Sequence, residues 1–279
     1  MTSGSLILCE SHEPEHYRPT EVRQWLVCPT LWRFEKRWTP RALPWSPAMV
    51  IGSAIHAGVA AHFRAVRGEP VLGPVPTAAM VLEHGYVEQD TWTLESLNRL
   101  VDKGITLVLK EVHLHPDAKI IAVEQTIAGR HPDLVTSLHD ALEVWDWKTS
   151  VSLEARWVPD RLDEYMHSWQ LLDYAYHCQE YYQRPVTQVS PVLVILGPRP
   201  MVKMQPIRVS NERLQQWKRS ADVVWTLMAS GQTWMNLEAC SNKGHFYGKT
   251  CPMFQGCHDL LGDETLFSGI YSPVEAKDG

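Results

Sequence analysis

Residues 121–150 read IAVEQTIAGRHPDLVTSLHDALEVWDWKTS. Short, partly alternating β-branched and apolar runs are split there by the turn residues Gly129 and His139-Asp140. That pattern suits a β-meander better than a helix. Asp133 opens one run, and Asp146 and Lys148 close another. Residues i and i+2 of a strand share a face, so Asp146 and Lys148 are expected to project together beside Asp133, with Trp147 packed on the opposite side. Glu124 lies one strand earlier. Three acids and a lysine at one sheet edge make a divalent-metal site, with a cation left over for an oxyanion or a nucleophilic water. The bland alternative is a set of surface strand positions with one incidental charge pair.

A chain of 279 residues that is 44% hydrophobic has enough apolar material for one large core, or a core with a small lobe. No apolar run reads as long enough to span a membrane, and the N-terminal MTSGSLILCESHE has no basic lead-in, so a soluble cytoplasmic protein is expected. The net charge of -6 has the wrong sign for a protein living by non-specific DNA affinity. It does not exclude a nuclease, because metal-binding carboxylates add negative charge and DNA contact can be confined to a patch. The best such patch lies between Arg18 and Arg41, with six basic residues against two acidic, interleaved with aromatics. It reads equally as a solvated helix face. Twelve tryptophans are many for this length, and stacking on unpaired bases is one use for them.

Around the meander, the pattern predicts two short helices in 20–38, broken at Cys28-Pro29, and a helix starting near Met49 whose Gly52, Ala54, Ala57, Gly58, Ala60 and Ala61 form a small-sided surface. Residues 66–92 read as Gly- and Pro-rich connection. Helices follow at about 94–113 and, as one long element, at 158–182. A hairpin is expected from 189–197 and 201–209, then a helix capped by Ser210. Cys9, Cys28, Cys178, Cys240, Cys251 and Cys257 occur without a secretory signal, which favours a metal or cluster site over a disulfide framework. The segment around Cys240, Cys251 and Cys257 would hardly pack without a staple. With Cys28 it offers four thiolates, enough for tetrahedral zinc or a cubane iron–sulfur cluster.

Glu124, the HPD of 131–133 and the DWK of 146–148 together resemble the core motif of the PD-(D/E)XK nuclease superfamily, in particular its RecB-like branch. The GSAIH of 52–56 resembles the histidine motif which that branch places ahead of its metal strands, and the QLLDY of 170–174 its QxxxY helix. The fold so implied is α/β: a restriction-endonuclease-like core, with a central mixed sheet flanked by helices and a helical, cysteine-rich, metal-stapled periphery. Residues 20–260 would form the nuclease domain, with tails at 1–19 and 261–279.

The resemblance further implies Mg²⁺ or Mn²⁺ held by His56, Asp133 and Asp146 with the carbonyl of Trp147. Lys148, Glu124, Gln170 and Tyr174 would serve as catalytic residues. One cysteine before the core and three after it resemble the split [4Fe–4S] cluster of AddB nuclease domains and CRISPR-associated accessory exonucleases, with Cys28, Cys240, Cys251 and Cys257 as its ligands and zinc as the alternative. The family's C-x2-C-x5-C spacing is kept only between Cys251 and Cys257, which leaves His245, His258 or Cys9 as candidates to replace Cys240. The activity implied is metal-dependent DNA hydrolysis, by an exonuclease preferring single strands, in recombination, repair or processing, with a protein partner from such a pathway. No phosphate loop of the GxxxxGK[ST] kind occurs, so a fused helicase is not expected. A non-cleaving DNA-binding subunit is the rival, and the intact acid–x–lysine argues against it.

Overall fold

The structure is a computed structural model describing residues 17–40, 46–85, 92–151, 157–231, 251, 257 and 271–273. In chain order, α1 (Pro19–Val27), α2 (Pro29–Arg37) and β1 (Trp38–Pro40) precede α3 (Pro47–Val66), α4 (Pro74–Gly85) and α5 (Leu94–Glu111). The strands β2 (Lys119–Val123), β3 (Leu134–Leu138) and β4 (Ala141–Ser150) come next, followed by α6 (Val158–Met166) and α7 (Trp169–Tyr182). Then come β5 (Val186–Ile195), β6 (Met201–Met204), β7 (Ile207–Arg208), α8 (Asn211–Ala229) and β8 (Tyr271–Pro273). The chain divides into two compact units, Ala42–Trp217 and one formed by Met1–Arg41 with Lys218–Gly279.

The first unit holds the main sheet, in the order β2-β3-β4-β5-β6, with β7 pairing to β5. Its pairs are antiparallel except β4–β5. A parallel pair cannot be closed by a hairpin, and α6 with α7 supplies the crossover. The two turns of the meander are tight. Ala128-Gly129 and His139-Asp140 all have positive φ, the two-residue loop that matches strand twist.

Period-2 alternation sorts the sheet's side chains. Trp145 and Trp147 of β4 join Leu134, Val192 and Val194 in a core shared with Ile51, Ile55 and Val59 of α3 and with Val101 and Ile105 of α5. Leu142 and Val144 face the other way, onto Leu171, Ala175 and Cys178 of α7. The small-sided surface of α3 has a specific use. A Cβ added to Gly58 would lie 2.4 Å from Ile105 Cδ1 and 2.9 Å from the carbonyl oxygen of Pro74. The isoleucine end can turn aside but the backbone cannot. Gly58→Ala is therefore expected to cost about 1–3 kcal/mol, read as a lowered urea midpoint with unchanged m.

Four sequence expectations change here. The 66–92 segment contains α4, whose Ala78 and Leu82 are fully buried. Its Pro74 and Pro76 lie in the first turn, where no intrahelical hydrogen bond is lost. The long helix at 158–182 is two helices, because Ser168 takes the extended backbone of an N-cap (φ -65°, ψ 121°). By length and composition α3 could cross a membrane, contrary to the reading that no run approaches that length; half of it is buried inside the protein, where it is a core helix.

The cysteine-rich, metal-stapled periphery is also not found among the described residues. Cys28, Cys251 and Cys257 are each about 95% buried, and they do not gather as a group able to hold a metal ion. Cys28 closes α1, its N–H donating to the Gln24 carbonyl. Cys9, Cys240, His245 and His258 lie outside the described residues. In this second unit Trp25, Leu31 and Phe34 of α1 and α2 are core, and β1 pairs antiparallel with β8.

Candidate active site

The site is assembled where α3, the end of β2, the start of β3 and β4 meet. The backbone turns sharply after Val123. Glu124 has φ 48°, and its N–H donates to the Asp133 carbonyl at 3.0 Å. A left-handed glutamate is strained, and such residues persist where surrounding contacts over-determine them. The turn brings Glu124 to α3. There His56 Nδ1 lies 3.1 Å from Asp133 Oδ1 and 3.9 Å from Glu124 Oε1. The second Asp133 oxygen accepts the backbone N–H of Trp147, which fixes the carboxylate against β4. His56, Glu124 and Asp133 present ligand atoms that all lie within 4.8 Å of one another.

Asp146 stands next to this triad rather than in it. It is buried, and Lys148 Nζ lies 2.9 Å from its Oδ1 and 2.7 Å from its Oδ2. The same ammonium donates to Gln170 Oε1 at 3.1 Å, and Gln170 Nε2 donates to the Tyr174 hydroxyl at 2.7 Å. Residues 146, 148, 170 and 174 thus form one hydrogen-bonded chain from β4 to α7. Trp147, pointing the other way, stacks on Phe63 of α3 with ring centroids 6.0 Å apart.

Charge crowding shows in the proton affinities. Burial, and then the Asp133 charge, push Glu124 up to about 7, partly offset by His56. Burial pushes Asp146 up to about 6 against the pull of Lys148. For His56 burial works downward, but Asp133, Glu124 and Asp146 override it, so its pKa is raised. Burial opposes the Lys148 charge too, yet Asp146 holds the ammonium above its ordinary value. One imidazole and two carboxylates, repelling each other in a half-buried space, fit a hard divalent cation better than a soft one. His56 and Glu124 also line a cleft of about 450 Å³ between α3 and α4.

The family model of the PD-(D/E)XK nuclease superfamily matches residues 18–258. The chain belongs to that superfamily. No curated protein matches the sequence. Among solved structures, a protein of Eubacterium rectale assigned as an exonuclease is similar at 10% identity and a TM-score of 0.47, over 85% of this chain and 93% of that one. The protein SSO0001 is similar at 12% identity and a TM-score of 0.22, over 73% and 86%.

Within the superfamily, the finer placement in a split-cluster RecB-like branch does not hold. The metal-holding group among the described residues is made of histidine and carboxylates, and no cysteine enters it. Among the described residues neither the [4Fe–4S] cluster nor its zinc alternative is formed by Cys28, Cys251 and Cys257, and Cys240 lies outside those residues. Sequence reasoning also missed Arg130. Its guanidinium, 3% exposed, grips Asp173 of α7 through Nε at 2.8 Å and Nη2 at 3.1 Å, and donates from Nη1 to the Ala128 carbonyl. The only signal in the sequence is an arginine on a turn otherwise built for tightness.

The raised carboxyls have a consequence for stability. A carboxyl raised on folding contributes stability below its unfolded pKa and loses it as pH climbs through the folded value. Glu124 and Asp146 should therefore make the metal-free protein less stable as pH rises from about 4.5 to 7. A bound cation must displace their protons at pH 6 but relieves their repulsion at pH 8. The rise in Tm on adding Mn²⁺ is expected to be larger at pH 8 than at pH 6. An equal rise at both would separate metal binding from these acids.

Proposed function

We propose that this protein is a divalent-metal-dependent deoxyribonuclease that degrades single-stranded DNA from an end. The carrying observation is the fixed ammonium of Lys148, held by Asp146 and Gln170 next to the His56–Glu124–Asp133 triad. Superfamily membership supports action on DNA. A cleft of about 450 Å³ has the size of a small-ligand pocket, which favours a strand entering nucleotide by nucleotide over an intact duplex.

His56, Glu124 and Asp133, with Asp146 adjacent, would hold Mg²⁺ or Mn²⁺. When bound, such an ion supplies Lewis-acid polarisation of the phosphodiester and a lowered pKa for water. Asp133 is aligned by the Trp147 N–H, so its free lone pairs have a set direction. Lys148 orients the attacking water or meets the charge that develops on the phosphate oxygens. Gln170 keeps that ammonium pointed into the site by accepting one of its protons. Tyr174, pushed up to about 12 mainly by burial, stays protonated at neutral pH and can donate to a phosphate oxygen. Trp25 of α1 and Phe34 of α2 are buried, so these two aromatics add no support for the single-strand preference.

The test is digestion of end-labelled single-stranded and duplex DNA, and of closed circles, with Mg²⁺, Mn²⁺ or EDTA. Linear single strands are expected to shorten progressively with either metal and to survive in EDTA. Rapid cutting of closed circular duplex, with linear single strands intact, would overturn the substrate and end preference. Binding without any cleavage would leave a non-cleaving DNA-binding subunit.

A further inference from the structure

The cleft beside the triad extends past the residues that would do chemistry. Ser53, His56, Ala57, Ala60 and Arg64 line it from one face of α3, and Thr77 of α4 lines it as well. Small side chains at 57 and 60 leave the wall low. Arg64 is the permanent cation among the lining residues, half-buried and two helical turns beyond His56, about 12 Å along the axis.

Its bonding is incomplete. One N–H goes to the Val123 carbonyl, at a long 3.4 Å from Nη2, and among the described residues its four other N–H groups have no protein partner. Covering the exposed edge of β2 does not require it. Arg67, one turn on, donates to the Ile121 carbonyl at 2.9 Å, pairs with Glu69 and does not line the cleft. A guanidinium with spare parallel donors on a cleft wall matches a phosphate, which it can grip bidentately.

We infer that Arg64 forks a backbone phosphate next to the one that is cut, so that the α3–α4 cleft seats the DNA strand. This rests on the nuclease reading and assigns the residue that binds substrate outside the chemical centre.

The experiment compares Arg64→Gln and Arg67→Gln, each in a Lys148→Ala background that slows cleavage. Binding of a fluorescein-labelled single-stranded oligonucleotide is read by anisotropy in Mn²⁺ across a salt series. Arg64→Gln is expected to raise Kd about tenfold and to flatten the slope of log K against log salt by about 0.7, the loss of one phosphate contact. Arg67→Gln should match the background. A single neutral methylphosphonate, moved along the strand, should weaken background binding at one linkage beside the cut and leave Arg64→Gln unaffected there. Parental Kd and salt slope in Arg64→Gln, equal losses in both variants, or an effect confined to the scissile linkage would each overturn the inference, as would absence of binding in every variant. If the unmutated chain cleaves no DNA while binding still depends on Arg64, the nuclease reading fails and the strand seat stands.

Discussion

Lys148→Ala is expected to lower kcat by about 10²-fold or more while DNA affinity changes little. The ammonium is anchored on both Asp146 oxygens and on Gln170 before any substrate arrives, so no reorganisation is needed when charge develops on the phosphate. Interactions of that kind lower the barrier without tightening the ground state. Removing Lys148 also takes away the cation that offsets Asp146's burial. That acid, already raised to about 6, would rise further and become neutral near pH 7. The protein should therefore stay folded while losing turnover. Single-turnover kinetics with a labelled strand separate the two quantities. An equal fall in binding and turnover would make Lys148 a phosphate anchor instead.

Asp173→Ala is expected to cost about 3–5 kcal/mol of stability, the scale for stranding one member of a buried ion pair. Arg130 and Asp173 have side chains only 3% and 0% exposed, and the alanine leaves the guanidinium without its carboxylate in a dry interior. His177, 3.5 Å from Asp173 across one turn of α7, loses the same neighbour. The pair ties the tight β2–β3 turn, just ahead of Asp133, to the helix carrying Gln170 and Tyr174. Activity should consequently fall before global unfolding is reached. Urea denaturation measures the cost, and replacing Arg130 by methionine together with Asp173 by leucine should restore most of it, because no buried charge then remains. A loss under about 1 kcal/mol in Asp173→Ala would mean that water reaches the pair.

Local chemistry carried much of the fold in the sequence. Gly129 and His139-Asp140 mark the turns by their tolerance of positive φ, and both turns occur there. Period-2 alternation places Asp146 and Lys148 on one face and Trp147 on the other, and the spacing of Gln170 and Tyr174 joins them on one turn of α7. These relations span a few residues and follow from backbone geometry alone. The order of motifs was enough to recognise the superfamily.

What local spacing could not determine depends on long-range approach. His56 meets Asp133 across 77 positions, and Glu124 joins them because a left-handed residue turns it toward α3. The family resemblance put Asp146 with His56 and Asp133 as ligands; in the folded chain His56, Glu124 and Asp133 bring their ligand atoms within 4.8 Å of one another, and Asp146 stands beside them, paired to Lys148. The Arg130–Asp173 pair links a turn to a helix 43 residues away, with no periodicity to announce it. Cysteine arithmetic failed for a related reason. Counting thiols along a chain says nothing about whether they converge, and among the described residues Cys28, Cys251 and Cys257 are buried without forming a metal-holding group. Period and turn chemistry are written residue by residue, whereas the convergence of distant side chains is decided only when the core packs.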